Sequence, residues 1–426
     1  MHHPRFSSVH PITRSSGCLK GAGALIYRRE RHKSVDVSSI QSVLRQEGLD
    51  GWLFYDHHRR DPIAYRVLGI APPMCTRRWY YLIPAQGEPS RLVHRVEKQN
   101  LAELPGTEFQ YSSWKEQHQC LGRILEGRHR IAMQYSALND IPYVGLVDAG
   151  TVELVRSLGV EVVSSADLVQ LFEARWSKDA LASHLAAGEV VHAAVREAFA
   201  ALRDAIRSGA AITEYGLQQV MLRVFASGGV VTDEGPVAAV NRNTALPHYM
   251  PQPDASLPIG LNDFVLLDVW GKLKQPGAVY FDITWTGYVG EKVPEQYTKI
   301  FDVVRAARDA AISLVQVSLQ AGRTLHGYEV DDVARDVIKL SGYGPFFVHR
   351  TGHSIGEDVH GNGANMDNFE THDERRIIPR TCFSIEPGIY LHDFGVRSEV
   401  NVFTGAREAC VTGEIQTEIV PILAAP

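Results

Sequence analysis

A chain of 426 residues, 45% hydrophobic and 22% charged, holds enough apolar sequence for two domains with sizeable cores and is not disordered overall. A net charge of −6 without a long basic stripe interleaved with aromatics argues against a nucleic-acid partner, and no apolar run approaches the length that crosses a membrane. The five cysteines, Cys18, Cys75, Cys120, Cys382 and Cys410, show no paired spacing, which argues against a disulfide scaffold or zinc knuckle and fits a reducing, cytoplasmic compartment.

Residues 1–33 carry seven Lys or Arg against one acid, a local +6 that leaves −12 for the remainder. The apolar run Ala22 to Tyr27 is too short for a secretory signal, so this stretch reads as a disordered extension. Val37, Ile40, Val43 and Leu44 share one helical face, with Gly48 as its stop and Trp52 to Tyr55 as a following strand. Further strands at Arg78 to Ile83, around Leu92 and at Ile131 to Gln134, with a helix over Tyr143 to Leu158, complete an α/β domain over 34–174. His57 and His58, beside Arg59 and Arg60, read as solvated surface.

A second domain, 175–426, opens with Ser177 as the cap of a long helix. Leu181, Leu185, Val191, Val195, Phe199, Leu202 and Ile206 recur in it near every 3.6 residues, and Gly209 lies past its end. A second helix begins at Thr213-Glu214, and strands follow with Asp268 in Phe264-Val-Leu-Leu-Asp and Asp282 in Val279-Tyr-Phe-Asp. The order then repeats: helices over Pro294 to Val317 and Val330 to Leu340, then strands carrying Glu386 and Glu399. Helix, helix, strands, twice over, predicts two similar α+β halves closing on a central site.

That site is legible in the residue types. His349, His353 and His360 stand at spacings of four and seven, and Glu386 lies in Phe383-Ser-Ile-Glu-Pro-Gly-Ile-Tyr390. Arg397 and Glu399 follow. A carboxylate in an apolar strand is costly to bury alone, and a cation removes the cost. Four carboxylates and one imidazole are too many for a single tetrahedral zinc and enough for two divalent ions if some carboxylates bridge. No Gly-x-Ser-x-Gly elbow and no His-Glu-x-x-His motif offers a rival chemistry.

These motifs resemble those of the pita-bread metallopeptidases, which include methionine aminopeptidase, aminopeptidase P and prolidase, with creatinase as a metal-free relative. The match runs from about Val37 to Val420. The resemblance implies a creatinase-like α/β N-terminal domain followed by an α+β pita-bread catalytic domain with pseudo-symmetric halves. It implies that Asp268, Asp282, His353, Glu386 and Glu399 hold two metal ions, with Asp282 and Glu399 bridging. Manganese is the expected metal, with cobalt or zinc able to substitute.

By the same resemblance His248 and His360 contact substrate and transition state, His349 lines the pocket beyond the scissile bond, Arg397 contacts substrate, and Glu386 shuttles a proton. Two-domain length, Leu246-Pro-His-Tyr and Glu386-Pro-Gly-Ile-Tyr favour the branch that cleaves before proline in short peptides, acting as a homodimer whose N-terminal domain limits substrate length. The alternatives are a creatinase-like hydrolase of another small amide or C–N substrate, and a non-catalytic binding protein with this fold. Three departures bear on substrate: Glu357, Trp285 where an arginine is common, and a longer Lys272 to Gly277 hairpin. Trp285 and the hairpin are expected at the rim, where they would favour Xaa-Pro-Yaa tripeptides.

Overall fold

The computed structural model describes residues 35–424, so the basic stretch 1–33 lies outside the described residues. Asp36 caps helix α1 (Val37–Gln46) by accepting from the Ser39 amide, and Ile40 and Leu44 are its buried face. Gly48, at φ 63°, turns the chain into β1 (Gly51–Asp56). Then follow α2 (Pro62–Leu68), β2 (Trp79–Pro84), β3 (Ser90–His94), β4 (Thr107–Tyr111), α3 (Trp114–Leu125), β5 (Arg130–Met133), α4 (Ala149–Ser157), β6 (Glu161–Ser164) and α5 (Ala166–Val169).

The six strands form one sheet in the order β4-β3-β2-β1-β5-β6. Every residue of β1 and β2 is buried, because apolar side chains pack on both faces, which is why Trp52 to Tyr55 reads as a continuous run rather than an alternation. The helix expected over Tyr143 to Leu158 begins only at Ala149. Asp148 is its cap, accepting from the Thr151 amide at 2.9 Å, and the residues before it form a 3₁₀ turn and loop.

From Ser177, which caps α6 (Lys178–Ser208), the chain runs through α7 (Glu214–Gly228), β7 (Val230–Val231), β8 (Val237–Val240), β9 (Phe264–Leu273) and β10 (Phe281–Tyr288). It repeats as α8 (Glu295–Gln320), α9 (Gly327–Leu340), β11 (Ser354–Ile355), β12 (Cys382–Ile385), β13 (Gly388–Tyr390), β14 (Gly395–Arg397), β15 (Val400–Thr404), β16 (Ala409–Thr412) and β17 (Val420–Pro421). In the first half Val191, Phe199, Met221 and Phe225 pack on Leu267, Val269 and Ile283. In the second, Phe301, Val304, Ile312 and Val330 pack on Phe383, Ile385 and Val402. Each such burial stabilises by about 2 kcal/mol, so packing on the sheets rather than helix propensity holds these helices in place.

The first turns of α6 do not bury the leucines that mark its periodicity. Ser183, His184, Ala187 and Gly188 face inward there, and a Cβ on Gly188 would lie 2.5 Å from the Phe281 ring. The His184 Nδ1–H donates to the Tyr280 carbonyl at 2.6 Å, its Nε2 accepts from the Thr412 hydroxyl at 2.7 Å, and burial pushes its pKa down to about 4. Between its unfolded value near 6.5 and about 4, the unfolded chain binds a proton that the folded chain does not. Stability therefore falls as pH drops through that window, by about 3 kcal/mol. His184→Gln should flatten the urea-midpoint profile between pH 7 and 4, and an unchanged slope would exclude this residue as its source.

Candidate metal centre

Antiparallel pairing of β9 with β10 sets Asp268 opposite Thr284. Because strand side chains alternate, Asp282 and Thr284 point away from the helices while Ile283 and Trp285 point toward them. The two halves meet along this polar face. Asn401, fully buried, donates to the Asp282 carbonyl at 2.8 Å and accepts from its amide at 3.2 Å, doing with a side chain what a neighbouring strand does with its backbone.

His353 is held by a separate device. Asp331 on α9 accepts from the Thr351 amide (2.9 Å) and hydroxyl (2.6 Å), and Arg335, paired with it, donates to the His349 carbonyl. Gly352 then passes so close to β12 that a Cβ would lie 2.0 Å from the Ser384 carbonyl oxygen, which explains the glycine in His349-Arg-Thr-Gly-His353. Glu386 and Glu399 do not lie within strands, as the sequence pattern suggested, but in the breaks between β12 and β13 and between β14 and β15. Pro387 lacks an amide hydrogen for the ladder, which accounts for the first break.

One oxygen or nitrogen each from Asp282, His353 and Glu399 lie within 4.8 Å of one another. His353 Nε2 is 3.6 Å from Asp282 Oδ2 and 3.3 Å from Glu386 Oε1. The Thr284 hydroxyl joins the remaining acid, 2.8 Å from Glu399 Oε2 and 3.3 Å from Asp268 Oδ1. Burial pushes the Asp268 carboxyl up to about 7 and raises Asp282 and Glu399 as well, their mutual repulsion adding to it. Glu386 differs. Burial raises it too, but the positive fields of His353, His349, Arg397 and Arg350 outweigh that and hold it below the usual carboxylate range.

These crowded acids can coexist only by taking up protons or cations, and Asp282 Oδ1, though buried, has no hydrogen-bond partner among the described residues. The donor set is therefore one that divalent ions fit: hard oxygens with a single imidazole.

The substrate residues separate into two groups. His248 and His360 are exposed, and the His360 ring stands edge-on to His353 with centroids 4.4 Å apart. Arg397, in contrast, is 5% exposed and its guanidinium is engaged with Asp268, the Thr284 hydroxyl and the Tyr390 hydroxyl. These contacts orient an acid of the cluster and use three of the five guanidinium N–H donors. His349 is likewise occupied, its Nδ1–H donating to the Arg350 carbonyl at 2.6 Å and its Nε2 accepting from Tyr390 at 2.7 Å.

Thr284 and Asn401 were passed over in the sequence. Their signal was period two, since each follows an acid of the cluster by two residues.

Trp285 is not at the rim. Its indole packs edge-on to His192 at 6.1 Å and covers a shallow hollow with Val195 and Phe199 of α6, on the opposite face of β10 from Asp282. The expected effect on substrate choice is thereby withdrawn: Trp285→Arg should lower the thermal midpoint and leave the dipeptide-to-tripeptide rate ratio unchanged. A shifted ratio with an unaltered midpoint would restore the rim assignment. The Lys272 to Gly277 hairpin does touch the mouth indirectly, as Lys272 donates to the Glu357 carbonyl in the loop that leads to His360.

Residues 182–406 match the sequence pattern of Metallopeptidase family M24. A curated Xaa-Pro dipeptidase of Lactobacillus delbrueckii subsp. lactis is 32% identical over 214 residues, 50% of this chain and 52% of that protein. The chain spans about half the length of the curated relatives it matches. Among solved structures, dipeptidase PepE from Mycobacterium ulcerans superposes with a TM-score of 0.65 at 22% identity, over 91% of this chain and 99% of that one. The X-Pro aminopeptidase from Thermotoga maritima gives 0.59 at 18% identity, over 90% and 99%. The fold is thus the expected one, an α/β creatinase-like part followed by a pita-bread α+β part.

Proposed function

Because the chain belongs to metallopeptidase family M24, we propose that it is a dinuclear metal-dependent peptidase that hydrolyses the bond before proline in short peptides. The observation that carries this reading is the convergence of Asp268, Asp282, His353, Glu386 and Glu399 in one buried cluster with an unsatisfied Asp282 oxygen. Two divalent ions there, with Asp282 and Glu399 shared between them and manganese favoured by the hard oxygens, would activate water near neutral pH and polarise the scissile carbonyl. His360 and His248, at the open side, donate to the carbonyl oxygen as it gains charge. Glu386, 3.3 Å from His353 Nε2, carries the proton to the proline nitrogen, which leaves poorly unless protonated.

Xaa-Pro peptides are the substrates that the relatives' names give, and the thiols of Cys75, Cys120 and Cys382 are free, which supports a cytoplasmic setting. A homodimer in which one N-terminal domain approaches the partner's mouth accords with the two-part architecture. The creatinase-like and binding-protein alternatives have no use for the four acids and one imidazole of the cluster.

For the substrate carboxyl group Arg350 is a second candidate beside Arg397. It is half-buried, makes no ion pair with a described carboxylate, stacks 5.4 Å over the Tyr143 ring, and its field reaches His353, His360 and Glu386. Arg350→Gln should raise KM at least about tenfold for Xaa-Pro dipeptides and much less for Xaa-Pro-Yaa peptides. Equal effects on both would remove the assignment. The whole reading is tested by hydrolysis of matched Xaa-Pro and Xaa-Pro-Yaa peptides with metal-free and manganese-loaded chain. No cleavage of either by the loaded chain would overturn it.

A further inference from the structure

In the six-stranded sheet every strand but β2 runs in the same direction. From central β1 the chain moves outward to β4 at one edge, and α3 then carries it back to β5 on the other flank. Open α/β sheets hold their ligands at such a reversal, in the crevice outside the carboxyl ends of the strands. Here the crevice has a volume of about 990 Å³, and its wall is built from the ends of β1, β3 and β4 together with the first turns of α3 and α4.

Three guanidinium groups face it, those of Arg60, Arg77 and Arg78, and none makes an ion pair with a described carboxylate. Among the described residues the Arg77 guanidinium donates to its neighbour Thr76, and its amide donates to Glu97 at 3.1 Å. Of the two acids on the wall, Asp148 is engaged in capping α4 and Glu153 is exposed. The turn is solvated at His58, Arg59 and Arg60, as expected, and it also places half-buried His57 and exposed Arg60 on the wall of the crevice. The Asp56 carboxylate fixes it by accepting from the Arg59 and Arg60 amides at 2.9 and 2.6 Å. Burial first, then the charges of His58, Arg60 and Arg78, hold the His57 imidazole below its usual range, a sign of a positive local field.

An anion relieves that repulsion, while the amino ends of α3 and α4 are already capped by the Glu116 and Asp148 carboxylates, so the arginines carry the attraction. Arginine forks suit phosphate oxygens, while the volume and the flat walls of Tyr55, Tyr111 and the 61%-exposed Trp114 leave room for a planar body. We propose that this crevice binds a phosphate-bearing small molecule of up to nucleotide size, apart from the metal centre.

Calorimetry of the full manganese-loaded chain with ADP, inorganic pyrophosphate and adenosine tests it. Saturable binding of one ADP per chain is expected, with pyrophosphate competing, adenosine weaker, and affinity falling with added salt. Arg60→Gln with Arg78→Gln should weaken ADP at least tenfold, with Arg77→Gln as the substitute if the double variant does not fold. Asp282→Ala should leave binding intact. The proposal fails if neither ADP nor pyrophosphate saturates, or if the arginine variants bind normally. It also fails if Asp282→Ala loses the anion, which would put it on the metals, or if ADP binds only at concentrations where chains dissociate, which would make the crevice an interface between copies.

Discussion

Asp282→Ala or Glu399→Ala should lower kcat/KM for an Xaa-Pro substrate at least about a thousandfold, equivalent to about 4 kcal/mol of lost transition-state stabilisation. On the proposed dinuclear reading each variant removes a carboxylate shared between two ions, so metal analysis should find fewer than two equivalents per chain. The stability consequence has the opposite sign in the metal-free state. The Glu399 carboxyl is forced well above its usual range by burial and by Asp282, Glu386 and Asp268, so deleting either acid relieves a repulsion the folded chain otherwise carries. The metal-free variants should melt no lower than the unmodified chain, while the rise in Tm on adding manganese should largely disappear. Full metal content with near-normal turnover in either variant would remove these acids from the centre.

His360→Ala and His248→Ala should act differently. Each is exposed at the open side of the cluster, so removing it leaves the buried donor atoms where they are. Turnover should fall about a hundredfold or more, the size of effect seen when one preorganised donor to a developing oxyanion is lost, with metal content unchanged. Stoichiometric metal loss in either variant would make that histidine a ligand and redraw the division of roles.

The five clustered residues could be found in the sequence because each sits in its own short motif, and the helices that frame them because Ser177 and Gly209 mark the ends of α6. What the sequence withheld depended on which way a side chain faces and on what it meets. Trp285 was read as a rim residue from its nearness to Asp282 in sequence, yet odd spacing on a strand sends it to the opposite face. Arg397 could be read as a substrate contact or as a partner orienting Glu399, and the sequence could not show that the fold brings Asp268, from a strand 129 positions away, into its reach. That half-buried His57 and exposed Arg60 also line a hollow was not legible, because nothing local shows that β1, β3 and β4 end around it.

Each half of the second part has its own apolar core, yet neither owns the centre between them. Asp268 and Asp282 come from the first half and His353, Glu386 and Glu399 from the second, with Asn401 as stitch across the seam. A chain with one half unformed therefore offers an ion only a fragment of the donor set. On the proposed reading, tight ion binding would then report that both halves have folded and met in register.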